Sequence, residues 1–473
     1  MSNISPLLTE HPKQAAILKA AGELGAQMNI PVYVVGGFVR DALMGRPNKD
    51  IDFMVEGSGI KFAEKLSAKL GVGNIVIFEK FGTAMIPHSD VEIEVATART
   101  ESYQSDSRKP DVTFTSIEED MSRRDFTVNA MAASVLPENF GQMYDPFGGL
   151  KDMQDRRLIT PLDPDATFSD DPLRMMRAAR FAAQLEFEIA PNVLDSIYRQ
   201  RHRLEIVSGE RITEEIIKTL RATRPSTGFY RMKETGLLAF AFPELDIMSG
   251  VDIIENRGHK DVFVHTLQVV DNAAKLTSKM EIRFAALVHD IAKPQTKRYE
   301  KDRGWTFHGH DEIGRRMLKK VARRMKLPND LRDYLMLLTK LHLRPIALAK
   351  GGVSDSAVRR LMFESEGFFE DLMILCRADI TTKNPNKVQK YMGNFERVEE
   401  LMKDVQLKDE MRAFQSPVRG DVIMRDLNLT EGRAVGIIKS AIEEAILDGD
   451  IPNEYEAAYA YMMQVKDGLL NSG

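Results

Sequence analysis

Between residues 31 and 150, short β-branched runs (VYVV, IDFMV, NIVIF, VEIEVAT) alternate with stretches of helical period. Runs of this kind fit strands of a partly buried sheet, and the helical stretches between them predict an α/β domain. From about residue 160 the apolar positions recur at helical spacing and the strand-like runs stop, so the rest of the chain is predicted to be all-α. Gly and Pro punctuation in PSTGFYRMKETGLLAFAFPEL and in ADITTKNPNKVQK marks two further junctions. The pattern therefore divides the chain into 20–155, 156–245, 246–385 and 386–473.

At 473 residues the chain exceeds one ordinary domain, and its 43% hydrophobic and 29% charged residues give the balance of a globular protein. No apolar run is long enough to span a bilayer, and the start MSNISPLLTEHPKQAAILKAAGELG lacks the marks of a signal peptide. A cytoplasmic location without a membrane partner is expected. The single cysteine, Cys376, leaves no intramolecular disulfide and no thiolate cage, so any metal must sit on carboxylates and histidines. A net charge of −5 argues against a protein that coats nucleic acid, although local basic patches can still grip an RNA.

Two features in the first segment carry chemistry. VYVVGGFVRDALMG reads as strand, glycine turn and helix, with Gly36 and Gly37 letting backbone approach an anion. KDIDFMVEG then places Asp50 and Asp52 on one face of a strand, with Ile51, Phe53 and Val55 on the other. Two carboxylates so close repel each other and call for a cation; two Mg²⁺ ions held there suit in-line phosphoryl displacement. VEIEVAT offers Glu92 and Glu94 on one face, and Glu94 is the better third acid by its place beside Ala96 and Thr97.

The ordered set GGFVRDALMG, KDIDFMV, EVATARTESY, RRDFTVNAMA, DPFGGLKDM and DDPLRMMRAARFAAQLEF resembles the class II CCA-adding tRNA nucleotidyltransferases and bacterial poly(A) polymerases. The resemblance implies a polymerase-beta-like palm in the α/β head and tRNA, CTP and ATP as partners. It implies Asp50 and Asp52 as Mg²⁺ ligands, Gly36, Gly37 and Arg40 at the triphosphate, and Arg124, Asp125 and Asn129 at the ribose. It also implies base selection by Asp171 and Arg174, supported by Arg177. Ser169 is expected to cap a helix bearing Asp171 and Arg174 three apart, where a carboxylate and a guanidinium would accept C and A and reject U and G. One departure is Asp170, where the family usually has Glu. TARTESYQSDSRKPDVTF resembles the loop that helps switch from C to A.

Poly(A) addition is the alternative within this family. NIVIFEKFGTAMIP lacks the glycine and basic pair common in poly(A) polymerases, and LNLTEGRAVGIIKSAIEEAILDG resembles the tail helix of CCA-adding members. Arg201, Arg203 and Arg211, with Arg221 and Arg224, are expected on tRNA backbone, and the run from Arg315 to Lys326 is a further basic stretch.

The third segment carries VFVHTLQVVDNAA, RFAALVHDIAKPQTKRY, FHGHDEIGRR and CRADI, which resemble an HD-domain phosphohydrolase. The resemblance puts a divalent metal on His265, His289, Asp290 and Asp379, with His308, His310 and His342 as additions. A second reading follows, in which this site is the principal activity and the head binds RNA.

Overall fold

The computed structural model describes residues 3–79, 82–88, 91–102, 111–114, 116–254, 257–258, 260–348, 355–365, 367–413, 416–447 and 450–470. The loop resemblance over 97–114 therefore falls partly outside the described residues. The strands begin with β1 (Val32–Val35), β2 (Asp50–Val55), β3 (Val76–Phe78), β4 (Thr83–His88) and β5 (Val91–Thr97). They continue with β6 (Arg99–Ser102), β7 (Asp111–Phe114), β8 (Ala132–Ser134) and β9 (Met143–Tyr144). Seven of them form one sheet in the order β3-β4-β5-β2-β1-β8-β9, and β6 pairs with β7 apart from it. Only β2 and β5 run parallel in that sheet.

Alternation in β2 sends Ile51, Phe53 and Val55 into a core shared with Ile17, Leu18, Phe62 and Leu66, from the helices Pro12–Met28 and Gly59–Lys69. On the other face Met54 joins Val35, Ile117, Met121 and Ala132 in a smaller apolar layer. The face bearing Asp50 and Asp52 is thus fixed by the burial of its neighbours, because a one-residue slip would bury the acids and expose Phe53.

After the sheet the chain is helical, with exceptions the sequence pattern does not predict. Arg157–Leu158 pairs parallel with Glu188–Ile189, and Arg298–Glu300 forms a hairpin with Gly304–Thr306. These ribbons are too short to show a period. A large core runs from Phe168 and Phe181 through Phe229 and Phe242 to Phe284 and Leu338, so the segments 156–245 and 246–385 share continuous packing. The chain divides into two compact units, 1–343 with 368–388, and 344–367 with 389–473. In the second unit Val418, Ile423, Ile438, Ile442, Ala458 and Met462 form a separate small core.

Candidate functional site

β2 and β5 pair with Asp50 opposite Glu92 and Asp52 opposite Glu94. Residues opposite each other on neighbouring strands point to the same face, so Asp50, Asp52 and Glu94 are gathered there by register alone. Asp50 and Glu94 are exposed and Asp52 is half-buried. Burial, then the charges of Glu94 and Asp50, push the Asp52 carboxyl up to about 6 against the opposing pull of Arg124 and Arg40.

After β1 comes Gly36, whose φ of 65° and ψ of −126° lie where only glycine is comfortable. A Cβ there would sit 2.5 Å from Arg124 Nη1, so the turn is also a close approach. The following helix spans Gly37–Leu43.

From that helix a chain of polar contacts crosses to the helix Leu173–Leu185. Arg40 Nη1 donates to Asn129 Oδ1 at 2.6 Å, and Asn129 Nδ2 donates to Asp125 Oδ1 at 2.9 Å. Asp125 Oδ2 accepts from Arg177 Nε at 2.6 Å, with Arg177 Nη2 also 2.6 Å away. Burial acts to raise the Asp125 carboxyl, but Arg177 and the hydrogen bonds from Asn129 and Arg177 outweigh it and hold it below the ordinary value. Arg40, Arg177 and Arg180 all lie over the Phe181 ring, at 5.3, 5.2 and 3.9 Å from its centre. Arg180 is itself anchored to buried Glu215 at 2.6 Å. The motifs in the sequence give no role to Phe181, Arg180 or Glu215; charged residues at positions of helical period that should be buried are the signal that flags the latter two.

Ser169, expected as a cap, lies inside a helix instead. Asp163, not Ser169, caps a first helix, Pro164–Asp170, accepting from the N–H groups of Asp165 and Ala166. Asp171 stands extended between that helix and Leu173–Leu185, at φ −141° and ψ 102°. Pro172 is the cause, since it disfavours helical backbone in the residue before it and has no N–H of its own. Asp171 Oδ1 accepts from the Leu173 N–H at 3.1 Å, and Oδ2 accepts from Arg211 Nη2 at 2.7 Å. Arg174 Nη1 donates to the Thr167 carbonyl at 3.2 Å rather than to the Asp171 carboxylate. Arg203 holds Ser169 through its Oγ at 2.6 Å and its carbonyl at 3.1 Å. Arg201 lies 3.9 Å over the Tyr198 ring. Of the five neck arginines expected on RNA, Arg201, Arg203 and Arg211 thus have protein contacts, and Arg224 lies 3.6 Å from Asp271.

A second cluster forms where the helices Val262–Leu276, Met280–Val288, His310–Arg324, Asn329–Leu341 and Phe369–Ala378 converge. His265 Nε2 lies 3.0 Å from Asp379 Oδ1 and 3.5 Å from Asp290 Oδ2. His289 Nε2 lies 3.1 Å from Asp290 Oδ2, while His310 and His342 Nε2 lie 3.3 and 3.8 Å from Oδ1. His308 does not join them: it is exposed and faces Glu300 at 3.8 Å, because it precedes the helix whose first residue is His310.

His289, His310 and His342 each turn Nδ1 to a backbone carbonyl three residues earlier, at 2.8, 2.7 and 2.7 Å. In the neutral ring Nδ1–H donates there, which leaves the Nε2 lone pair aimed at the centre. His289 Nε2 and Asp290 Oδ1 are buried without an aligned hydrogen-bond partner. Burial opposes charge on His265, yet Asp290 and Asp379 raise it to about 9; for His342 burial dominates and lowers it to about 4. Burial would raise Asp290, but His289, Lys293 and His265 drive it well below the carboxylate range. The donors close up as His265, His289 and Asp379, and as Asp290, His310 and His342.

Family profiles match three stretches: "Poly A polymerase head domain" at 32–159, "Probable RNA and SrmB- binding site of polymerase A" at 186–248, and "HD domain" at 262–383. A multifunctional CCA protein of Tolumonas auensis is 34% identical over 372 residues, covering 74% of this chain and 84% of that protein. The structure of a CCA-adding enzyme in an apo form is similar over 98% of both chains, with a TM-score of 0.60 and 25% identity. A tRNA nucleotidyltransferase complexed with a primer tRNA and an incoming ATP analogue matches with a TM-score of 0.57 and 25% identity, over 80% of this chain and 99% of that one.

Proposed function

This chain belongs to the family of class II CCA-adding tRNA nucleotidyltransferases and poly(A) polymerases, and on that premise we propose that it adds C and A to tRNA 3′ ends from CTP and ATP, releasing pyrophosphate. The observation that carries the reading is the β2–β5 register, which sets Asp52 beside Glu94 on the face shared with Asp50. The carboxyl raised to about 6 by burial and like charge marks a cluster that a hard divalent cation would relieve. Asp50 and Asp52, with Glu94, would hold Mg²⁺, which when bound activates the 3′-hydroxyl and offsets charge on the leaving pyrophosphate.

The chain's own groups do the rest. Arg124, lying against Gly36, supplies positive charge beside the glycine turn, where the triphosphate is proposed to sit. Asp125 spends its oxygens on Phe126 N–H, Asn129 and Arg177, so its role at the ribose is to orient Asn129 and Arg177 rather than to accept a hydroxyl itself. Asp171 Oδ2 holds Arg211 and keeps a second lone pair for the exocyclic amino group of cytosine or adenine. Arg174 donates to the ring nitrogen of the same edge. A base with the opposite pattern, uracil or guanine, meets acceptor against acceptor and donor against donor.

Incubation with tRNA lacking its CCA end, labelled CTP or ATP and Mg²⁺ tests this. Two C residues followed by one A are expected. Long A tails without C incorporation would sink the reading in favour of poly(A) addition. We place the reaction in the cytoplasm; no described helix is long and apolar enough to cross a membrane.

The orphaned His289 Nε2 and Asp290 Oδ1 favour a second, metal-dependent phosphohydrolase activity in the same chain. Four imidazoles, three of them with fixed tautomers, and two carboxylates fit a transition metal or Mg²⁺. His265, His289, Asp290 and Asp379 would hold it, with His310 and His342 against Asp290, and the ion when bound supplies Lewis acidity and an activated water. Metal analysis of the purified protein, with assays on 2′,3′-cyclic and terminal phosphates, decides it. A metal-free protein that hydrolyses neither removes this activity.

A further inference from the structure

A cavity of about 580 Å³ opens on the HD region between the helices His310–Arg324 and Asn329–Leu341, and the function proposed above leaves it unused. Arg315, Lys319 and Arg323 line it from the first helix and Arg332 from the second, with Asn329 and Asp333 beside Arg332 and with Ala322, Leu327 and Met336 supplying apolar surface. Arg315, Lys319 and Arg323 are four residues apart in turn, so they form one stripe along the helix, roughly 12 Å long at 1.5 Å per residue.

The four cations are not equally occupied. Arg315 is held by Glu312 at 2.6 Å, and Arg332 by Asp333 at 2.8 Å and Asn329 at 2.8 Å. The side chains of Lys319 and Arg323 are exposed and make no hydrogen bond or close ion pair among the described residues, although the Lys319 charge acts on Asp333. A row of like charges at the lip of a concave surface repels itself and so stabilises the fold little. It raises the local concentration of a polyanion. A small single anion needs one or two donors, whereas a stripe of this length matches successive phosphates, and the apolar floor accepts sugars between them.

The groove's position gives the polyanion an identity. At its C-terminal end the helix His310–Arg324 abuts the neck: Thr213 Oγ1 donates to the Met325 carbonyl at 2.8 Å, and Arg324 pairs with Glu244. Gly209 comes so close that a Cβ there would lie 2.4 Å from the Arg324 carbonyl oxygen. Two residues further on, the same neck helix, Gly209–Leu220, carries Arg211, which binds Asp171. The helix that lines the groove and Asp171 of the proposed nucleotide site are therefore both in contact with one neck helix, within one compact unit.

We propose that this groove binds the phosphate backbone of the RNA whose 3′ end lies at the nucleotide site, through Lys319 and Arg323 with Arg315 and Arg332 alongside. The inference rests on the proposed tRNA substrate. Fluorescence anisotropy of a labelled tRNA lacking its CCA end, titrated with the full chain over a salt series, tests it. Lys319→Glu/Arg323→Glu is expected to weaken binding about tenfold and to lower the salt slope by about two, one for each phosphate that the protein no longer neutralises. Lys319→Gln/Arg323→Gln should do the same in smaller measure with an unchanged melting temperature, which separates a weakened grip on phosphate from a failure to fold. The rate of C addition at saturating RNA should match the unsubstituted chain.

Unaltered affinity and slope in both variants overturn the proposal. So does a variant that loses binding of free ATP while RNA binding is kept, which would assign the groove to a free nucleotide. Because binding is measured without nucleotide transfer, a chain that binds this RNA through the groove yet adds neither C nor A would defeat the proposed function and leave the groove standing.

Discussion

Single atoms decide several consequences around the glycine turn. Gly36→Ala places an L side chain at a backbone conformation costing roughly 1–3 kcal/mol and drives its Cβ to 2.5 Å from Arg124 Nη1. The expected result is a lower melting temperature together with a raised KM for nucleotide, since Arg124 must move. Asp52→Asn keeps the shape of the strand and removes one anionic ligand; nucleotide addition is expected to fall by at least about a thousandfold, on the order of 4 kcal/mol. A near-wild-type rate for that variant would remove Asp52 from the site. Asp125 gives a pH prediction. Its folded carboxyl lies below the ordinary value, so its contribution to stability is full above the unfolded value of ~3.9 and is lost as pH falls through the folded one. The melting-temperature gap between the unsubstituted chain and Asp125→Asn should therefore be widest near neutrality and close below about pH 4. A gap independent of pH would contradict the assignment.

At the level of elements, the helix Leu173–Leu185 carries Arg174, Arg177, Arg180 and Phe181, and buried Glu215 of the neighbouring helix braces it through Arg180. Both charges of this pair are almost fully enclosed, at 7% and 3% side-chain exposure. Removing one strands the other, which typically costs about 3–5 kcal/mol. Glu215→Ala is expected to lower stability by roughly that amount in denaturant titration, whereas Glu215→Gln should keep a hydrogen bond and lose less. In the helical HD region five helices bring their donors together. His289→Ala is expected to lower the metal content of the purified protein and to leave C addition intact, because the metal donors grouped with His289 do not include Asp50 or Asp52. Unchanged metal content on direct elemental analysis would exclude His289 as a ligand.

For the whole molecule, the sequence disclosed unequal amounts at different separations. Alternation along IDFMV made the buried and acidic faces of β2 legible, since period and burial are local. The HD cluster was visible as histidines crowded into one segment, although His308 and His310 were indistinguishable until a helix began between them. Helical spacing carried through Pro172, a breaker in plain view, misplaces Asp171. No local pattern joins Arg211 to Asp171, Arg180 to Glu215, or Asp125 to Arg177, for these pairs lie 40, 35 and 52 residues apart. By itself the sequence determined the α/β head, the helical remainder and the types of residue at both sites, because periodicity and motif spacing are properties of neighbours along the chain. Which cations are spent on protein partners and which stay free for phosphate was decided only by the tertiary structure, since a charge's partner is set by packing between helices far apart in sequence.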